Sequence, residues 1–466
     1  MCSYYQYKLF IINVQIGKTT LMKKPVLLFI FSSLLLFTFD CEYRSQEQQN
    51  IGSLINTAHL DFLYEEITIA DQSIGIIHIY SEYPDYKWVG DDDEGIACID
   101  DAARAAVFYL EHYKFYGNES SLIKAKKLLQ FLLHMQSSNG FFYNFIFDDY
   151  SINRDHKNSI NEPNWWSWRA MWALSNGYLN FVNVDKDFAE VIYKSLERIT
   201  EELKKIINVE REKNIINGKD KITWLPIKSG SDQASIIILS LLNYYEINKD
   251  ESILEYVNNL SDGILNVQKG DSTSFPYYAF MSWENLWHAY GNLQSYSLLK
   301  ASSVLEREDI LLAAISEINY FYKFLMSENY LSSFYINKRN DEYVSIETKQ
   351  YSQIAYNFRV MVYACIEAYN ITKDSSYASM AGEIASWFFG NNIAEAQMYF
   401  PLSGICYDGI NSQNTINKNS GAESTIEALL TLLTLEQNQI AINTLTKVLE
   451  GGEIISNYEE KIKSIR

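Results

Sequence analysis

Six times along this chain, a polar and aromatic cluster stands just ahead of, or inside the first turn of, a long apolar run. The lead residues Asp100, Asn164, Ser231, Trp283, Gln350 and Asn419 are separated by 64, 67, 52, 67 and 69 positions. Each repeat reads as two helices followed by a loop. The pairs fall at about 97–116 with 120–136, 165–184 with 187–207, 231–246 with 250–267, 283–303 with 306–327, 350–370 with 373–390, and 420–436 with 438–450. Leading helices, such as 102–108 and 236–239, are apolar or small nearly all round. Following helices are one-sided: 187–207 carries Lys194, Glu197, Arg198, Glu201, Glu202, Lys204 and Lys205. All-round apolarity implies burial, and a one-sided stripe implies a surface helix. The expected fold is therefore all-α, an inner ring of six helices inside an outer ring of six. Closure of that ring puts every cluster on one rim. The long connectors (about 137–164, 208–230, 268–282, 328–349 and 391–419) feed the same rim, where binding and catalysis are usually built.

Ahead of the ring, 51–90 is a mixed lead-in, with a β-branched stretch at 74–80 and a turn at Tyr83-Pro84-Asp85. The ring itself is placed at 55–450, a tail at 451–466 and a polar tether at 42–54. Residues 1–41 read as an export segment. Lys23-Lys24 precede an apolar run over 25–39 and then Asp40-Cys41, and Met22 opens this pattern, so 1–21 reads as lying upstream of the start. Cys41 sits where a bacterial lipoprotein is lipidated, although Phe39-Asp40 replace the usual small residues before it. Plain secretion and an uncleaved anchor are the rivals; about fifteen apolar residues is short for a span. The expected location is the cell envelope, held by a lipid anchor. Processing of the precursor should stop with globomycin; a mobility unchanged by the drug would count against lipidation.

A net charge of −19 argues against nucleic acid or anionic membrane surfaces as partners. With 47% hydrophobic residues and six prolines, the chain has a folded composition, and it is 15% aromatic. Cys98, Cys365 and Cys406 are widely spaced, without a CxxC pattern. No HExxH, Gly-rich phosphate loop or GxSxG elbow occurs, so neither a metal nor a cofactor is expected. The acidic run 91–94 fits no EF-hand spacing and reads as a solvated loop.

Two stretches, Asp100-Asp101-Ala102-Ala103-Arg104-Ala105 and Ser420-Gly421-Ala422-Glu423-Ser424-Thr425, resemble motifs of bacterial six-hairpin domains of poorly assigned function. Over about 55–450 the chain resembles the six-hairpin glycosidase-like superfamily, which implies an (α/α)6 toroid acting on an oligo- or polysaccharide. Related toroids also host polysaccharide lyases, sugar epimerases and non-enzymatic modules.

Glycoside hydrolysis needs a protonated carboxyl and a second carboxylate. Asp100 and Asp101 are adjacent and point about 100° apart on a helix, so they cannot both face one ligand. One is read as a cap and the other as facing the interior, with Asp101 taken as the catalytic member, Arg104 one turn on as its partner and Asp100 as a third candidate. Ring closure makes the sixth hairpin a neighbour of the first, so Glu423, in the first turn of the last inner helix, should lie near Asp101. Its rival reading is a capping-box residue answering Asn419 or Ser420. Glu284 and His288, at i and i+4 on the expected fourth inner helix, would share a face. Trp165 or Trp166 offers a sugar-stacking platform, with Trp283 and Tyr351 also lining the cleft, although Trp165, Trp166, Trp168 and Trp172 are also spaced as a core stripe would be. Asp408 reads as a turn residue. The leading expectation is a glycoside hydrolase using Asp101 and Glu423. A lyase or epimerase would draw on His288, Tyr290, Asn285 and Arg169, and a non-catalytic glycan-binding lipoprotein is the third reading.

Overall fold

The computed structural model describes residues 53–207, 213–216 and 219–450. Cys41, the apolar run before it, most of the 42–54 tether, part of the 208–230 connector and the tail 451–466 lie outside these residues. A short helix, α1 (Ala58–Leu63), and an antiparallel pair of strands, Tyr64–Ile69 with Gln72–Ile77, open the described chain. A smaller pair, Tyr80–Glu82 with Lys87–Val89, then folds around the Tyr83-Pro84-Asp85 turn.

Six helical hairpins follow. They are α2 (Ile99–Tyr116) with α3 (Glu119–Met135), α4 (Trp165–Phe181) with α5 (Lys186–Ile207), and α6 (Ser231–Asn248) with α7 (Ser252–Asn266). Next comes α8 (Gln294–Leu305) with α9 (Glu308–Glu317), which runs through a π-helical turn, Ile318–Tyr322, into α10 (Lys323–Ser327). The last two are α11 (Ala355–Thr372) with α12 (Ser375–Ala385), and α13 (Ala422–Glu436) with α14 (Gln439–Glu450). Helix α2 packs on α4, α4 on α6, α6 on α8, α8 on α11, α11 on α13, and α13 back on α2. The inner ring is closed.

Burial follows the composition of each helix. In α2 the small residues Ala102, Ala103, Ala105 and Ala106 are all fully buried, which lets its neighbours approach closely. In α5 one face is buried, with Phe188, Ile192, Leu196, Ile199 and Leu203 along it at helical contact spacing. Each such side chain contributes about 1.5–3 kcal/mol by leaving water. Gly117, with φ of 68°, ends α2 in the left-handed conformation, and Asn118 Oδ1 accepts from Ser121 N to start α3.

The structure departs from the sequence expectation at the fourth inner helix. Helix α8 starts at Gln294 rather than near 283. Glu284 has φ of 53°, a conformation no helix interior admits, and Trp283–Leu286 closes a tight turn. Leu286–His288 then pairs with Ser333–Arg339, which in turn pairs with Glu342–Lys349 in a three-stranded sheet. Trp287 stacks on Phe334 at 5.1 Å and meets the edge of Phe321 at 5.0 Å. The start of the run that read as helical thus packs by cross-strand and inter-element contacts instead. Similarly, α11 begins at Ala355, leaving Gln350, Tyr351 and Ser352 in the entering segment.

Glu317, at the end of α9, is fully buried and accepts from Phe280 N (2.8 Å) and Ser295 Oγ (2.6 Å), joining a connector to the first turn of α8. Burial pushes its carboxyl up to about 7 from an ordinary value of 4.5, against the pull of those two donors. Between those values the folded state binds more protons than the unfolded state, so stability falls as pH rises. Urea midpoints should therefore show the wild type losing ground to Glu317→Gln between pH 4.5 and 7. A difference that stays flat across that window would mean that Glu317 does not titrate there.

Candidate active site

The N-terminal turns of the inner helices carry a cluster of charges. On α2, the N-cap is Cys98, whose Sγ accepts from Asp101 N at 3.4 Å and donates to Asp101 Oδ2 at 3.2 Å. Neither aspartate is the cap, which leaves both side chains for other partners. Asp101 is 4% exposed and its Oδ1 accepts from Arg104 NH1 at 2.7 Å. Burial pushes its carboxyl up to about 6, with the Arg104 charge pulling the other way. Asp100 points elsewhere: Oδ1 accepts from Arg169 NH1 at 2.7 Å and Oδ2 from Asn144 Nδ2 at 3.3 Å. The two adjacent aspartates serve different arginines, as their angular separation requires.

Arg104 links the first and last hairpins. Its NH2 lies 2.8 Å from Glu423 Oε2 on α13, and its Nε lies 3.3 Å from Glu427 Oε1, close in charge but not aligned as a hydrogen bond. Glu427, itself fully buried, also takes the Nε of Arg359 from α11. The Tyr356 ring lies among the three guanidinium groups, with Arg104 at 5.1 Å, Arg169 at 5.7 Å and Arg359 at 4.8 Å from its centroid. Four carboxylates (Asp100, Asp101, Glu423 and Glu427) therefore meet three arginines across the ring axis.

Tyr290 connects the two aspartate arms. Its hydroxyl accepts from Arg169 NH2 at 3.4 Å and donates to Glu423 Oε2 at 3.3 Å. Both contacts to Glu423 fall on Oε2, the side chain is 33% exposed, and Oε1 carries neither contact. The Glu423 reading as a capping-box residue does not hold. The start of α13 is held instead by Asp408, whose Oδ1 accepts from Gly421 N (2.8 Å) and Ser424 Oγ (2.7 Å), and whose carboxyl burial pushes up.

The remaining candidates separate. Trp165 is half-buried with Arg169 stacked at 4.9 Å over its ring, beside Gly291, where a Cβ would come within 3.0 Å of the indole. Trp166 is 3% exposed and donates Nε1 to Phe142 O, so its ring belongs to the core and is not a platform. Trp283 lies under Lys221 at 5.6 Å. Tyr351 is half-buried ahead of α11. Glu284 and His288 do not form the expected pair, because a turn and a strand point them to different partners. Glu284 is buried against Lys221, and His288 Nε2 lies 3.1 Å from Asp232 Oδ2 on α6. His288 Nδ1 is buried without a hydrogen-bond partner.

Arg359, Glu427 and Tyr356 were not singled out from the sequence, although a signal was present. Arg169 is the one charged residue of α4, and Arg359 shares α11 with a single other charge, Glu367, in helices that are otherwise largely apolar. A charge in such a helix has to find a buried partner on a neighbouring helix.

The fold is an (α/α)6 toroid of six helical hairpins. Neither a family model nor a curated protein matches the sequence. Solved structures similar to it include a sugar epimerase from a ruminal bacterium, with a TM-score of 0.58 and 12% identity, over 84% of this chain and 98% of that one. Cellobiose 2-epimerase from Bacillus thermoamylovorans B4167 gives 0.55 and 13%, over 86% and 99%, and a D-mannose isomerase gives 0.52 and 11%, over 77% and 91%. At these identities the likeness is one of fold.

Proposed function

We propose that this chain is a carbohydrate-active enzyme that binds a sugar at the inner-helix N-termini and transfers a proton next to its carbonyl carbon, as a sugar epimerase or isomerase. The observation that carries this reading is the open carboxylate of Glu423, held from behind by Arg104 and Tyr290 beside the buried Arg169. Glu423 Oε1 would take the C–H proton, and the electron pair would move onto the carbonyl oxygen. Fixed guanidinium and phenol donors stabilise such an oxyanion without having to reorganise. The protonated Glu423 would then return a proton to carbon, which leaves the carboxylate as it began. Trp165 supplies a flat face for the sugar ring. The similar structures that are sugar epimerases and an isomerase support this choice.

Hydrolysis is the second reading, because Asp101, with its carboxyl pushed up to about 6, lies one guanidinium away from Glu423. It requires Arg104 to release Asp101 toward the ligand. Incubation with a panel of saccharides in D2O, read by mass spectrometry after return to H2O, separates the readings. A product of unchanged length carrying carbon-bound deuterium is expected. Two shorter fragments would mean hydrolysis, and binding without any product would leave a glycan-binding module.

A further inference from the structure

Beneath the charge cluster the ring encloses a second space. Arg104, Arg169, Arg359, Tyr356 and Glu427 lie between the inner helices, all nearly or fully buried. About one helical turn beyond the three arginines and Glu427, Val107, Trp172, Tyr363 and Leu430 line a cavity of about 430 Å³. All six inner helices contribute to its wall. Lys300, Asn370 and Gln437 are lining residues exposed at its edge, so it opens to solvent. Its volume falls in the range of small-molecule sites, about 300–1,000 Å³.

The charges of the wall are paired. Glu111 Oε1 lies 2.8 Å from Lys114 Nζ, and Glu367 Oε1 lies 3.6 Å from Lys300 Nζ. What the wall leaves unengaged is neutral. Asn176 donates Nδ2 to Trp172 O at 2.8 Å. Ser175 Oγ spends its own proton on Trp172 O, so it accepts from Asn243 Nδ2 at 3.2 Å. These bonds fix both amides, and neither Oδ1 has a partner among the described residues. Trp172 Nε1 and the Tyr296 hydroxyl are donors in the same wall, and neither has an acceptor among the described residues. Tyr296 meets Tyr363 edge to face at 5.2 Å, which gives the wall a rigid apolar surface. Sugar and polyol hydroxyls both donate and accept, and the C–H faces between them pack on aromatic rings. Unengaged amide oxygens, an indole N–H and a phenol beside such a surface match that chemistry, and no free charge is left to select an ion.

We propose that this cavity is a second binding site, for a neutral sugar or polyol, separated from the mouth by the buried charge cluster. It does not rest on the reaction assigned to the mouth.

The test is titration calorimetry of the full chain with methyl β-glucoside, whose blocked anomeric carbon offers the mouth no carbonyl, and with acetate and putrescine as charged probes. Saturable binding of the glucoside is expected in the wild type. It should persist in Trp165→Ala, which strips the mouth of its stacking face. In that background, adding Asn176→Leu and Asn243→Leu should weaken it at least tenfold, because two acceptors are lost at similar side-chain size. Thermal melts check that the variants are folded. Trp172→Phe, a smaller change that keeps a ring and removes the Nε1 donor, should weaken binding at least threefold. Absence of saturable binding would overturn the proposal, as would binding indifferent to the cavity substitutions. So would binding lost in Trp165→Ala, which would place the sugar at the mouth, or either charged probe bound in preference to the glucoside.

Discussion

Replacing Arg104 with alanine should cost roughly 3–5 kcal/mol of folding stability, because it leaves buried carboxylates without their counter-ion. Arg104 is 2% exposed and lies against Asp101, Glu423 and Glu427 at 2.7, 2.8 and 3.3 Å. Asp101 and Glu427 cannot turn to water, since their side chains are 5% and 0% exposed. Losing one guanidinium leaves Glu427 with Arg359 but strips Asp101 of its salt-bridge partner. Arg104→Lys makes the informative comparison. It keeps the charge but not the planar fork that spans α2 and α13, so it should recover only part of the loss. Equilibrium unfolding in urea measures both. A cost below about 1 kcal/mol for Arg104→Ala would show that the cluster rearranges or takes in water, and that the ring does not depend on this contact to close.

Glu423→Gln should behave in the opposite way. Glutamine keeps an oxygen for Arg104 and Tyr290, and Arg104 retains Asp101, so stability should change by less than about 1 kcal/mol. Turnover should fall by about 10²–10⁴-fold, the range for loss of a positioned acid or base. The same variant should stop deuterium uptake into product while still binding sugar, since only Oε1 as a proton acceptor has been removed. Full activity in Glu423→Gln would remove Glu423 from the chemistry and turn attention to Asp100, the other carboxylate at the mouth, whose side chain is 18% exposed. Asp101→Asn is less decisive, because both oxygens of Asp101 are engaged within the fold and a loss of activity would accompany a loss of stability.

The sequence by itself determined the ring. Hydrophobic periodicity and all-round apolarity are local properties, carried by residues a turn apart, so the six hairpins and their assignment to inner and outer layers were legible. So was the approach of Glu423 to the first hairpin, since closing a ring forces its ends together. The fourth inner helix was misplaced, because Glu284 and His288 are spaced as helical residues while Phe321 and Phe334, the packing partners of Trp287 between them, lie far along the chain. What only the tertiary structure decided is which charge meets which. Asp100 with Arg169, Arg359 with Glu427 and Asp232 with His288 are 69, 68 and 56 residues apart, close to one repeat in each case. A repeat period says that such residues sit in adjacent repeats. It does not say which of two neighbouring aspartates turns toward a guanidinium, or which carboxylate is left open to a ligand. Those choices are made by burial and by the angle each side chain leaves its helix, and they exist only once the ring has closed.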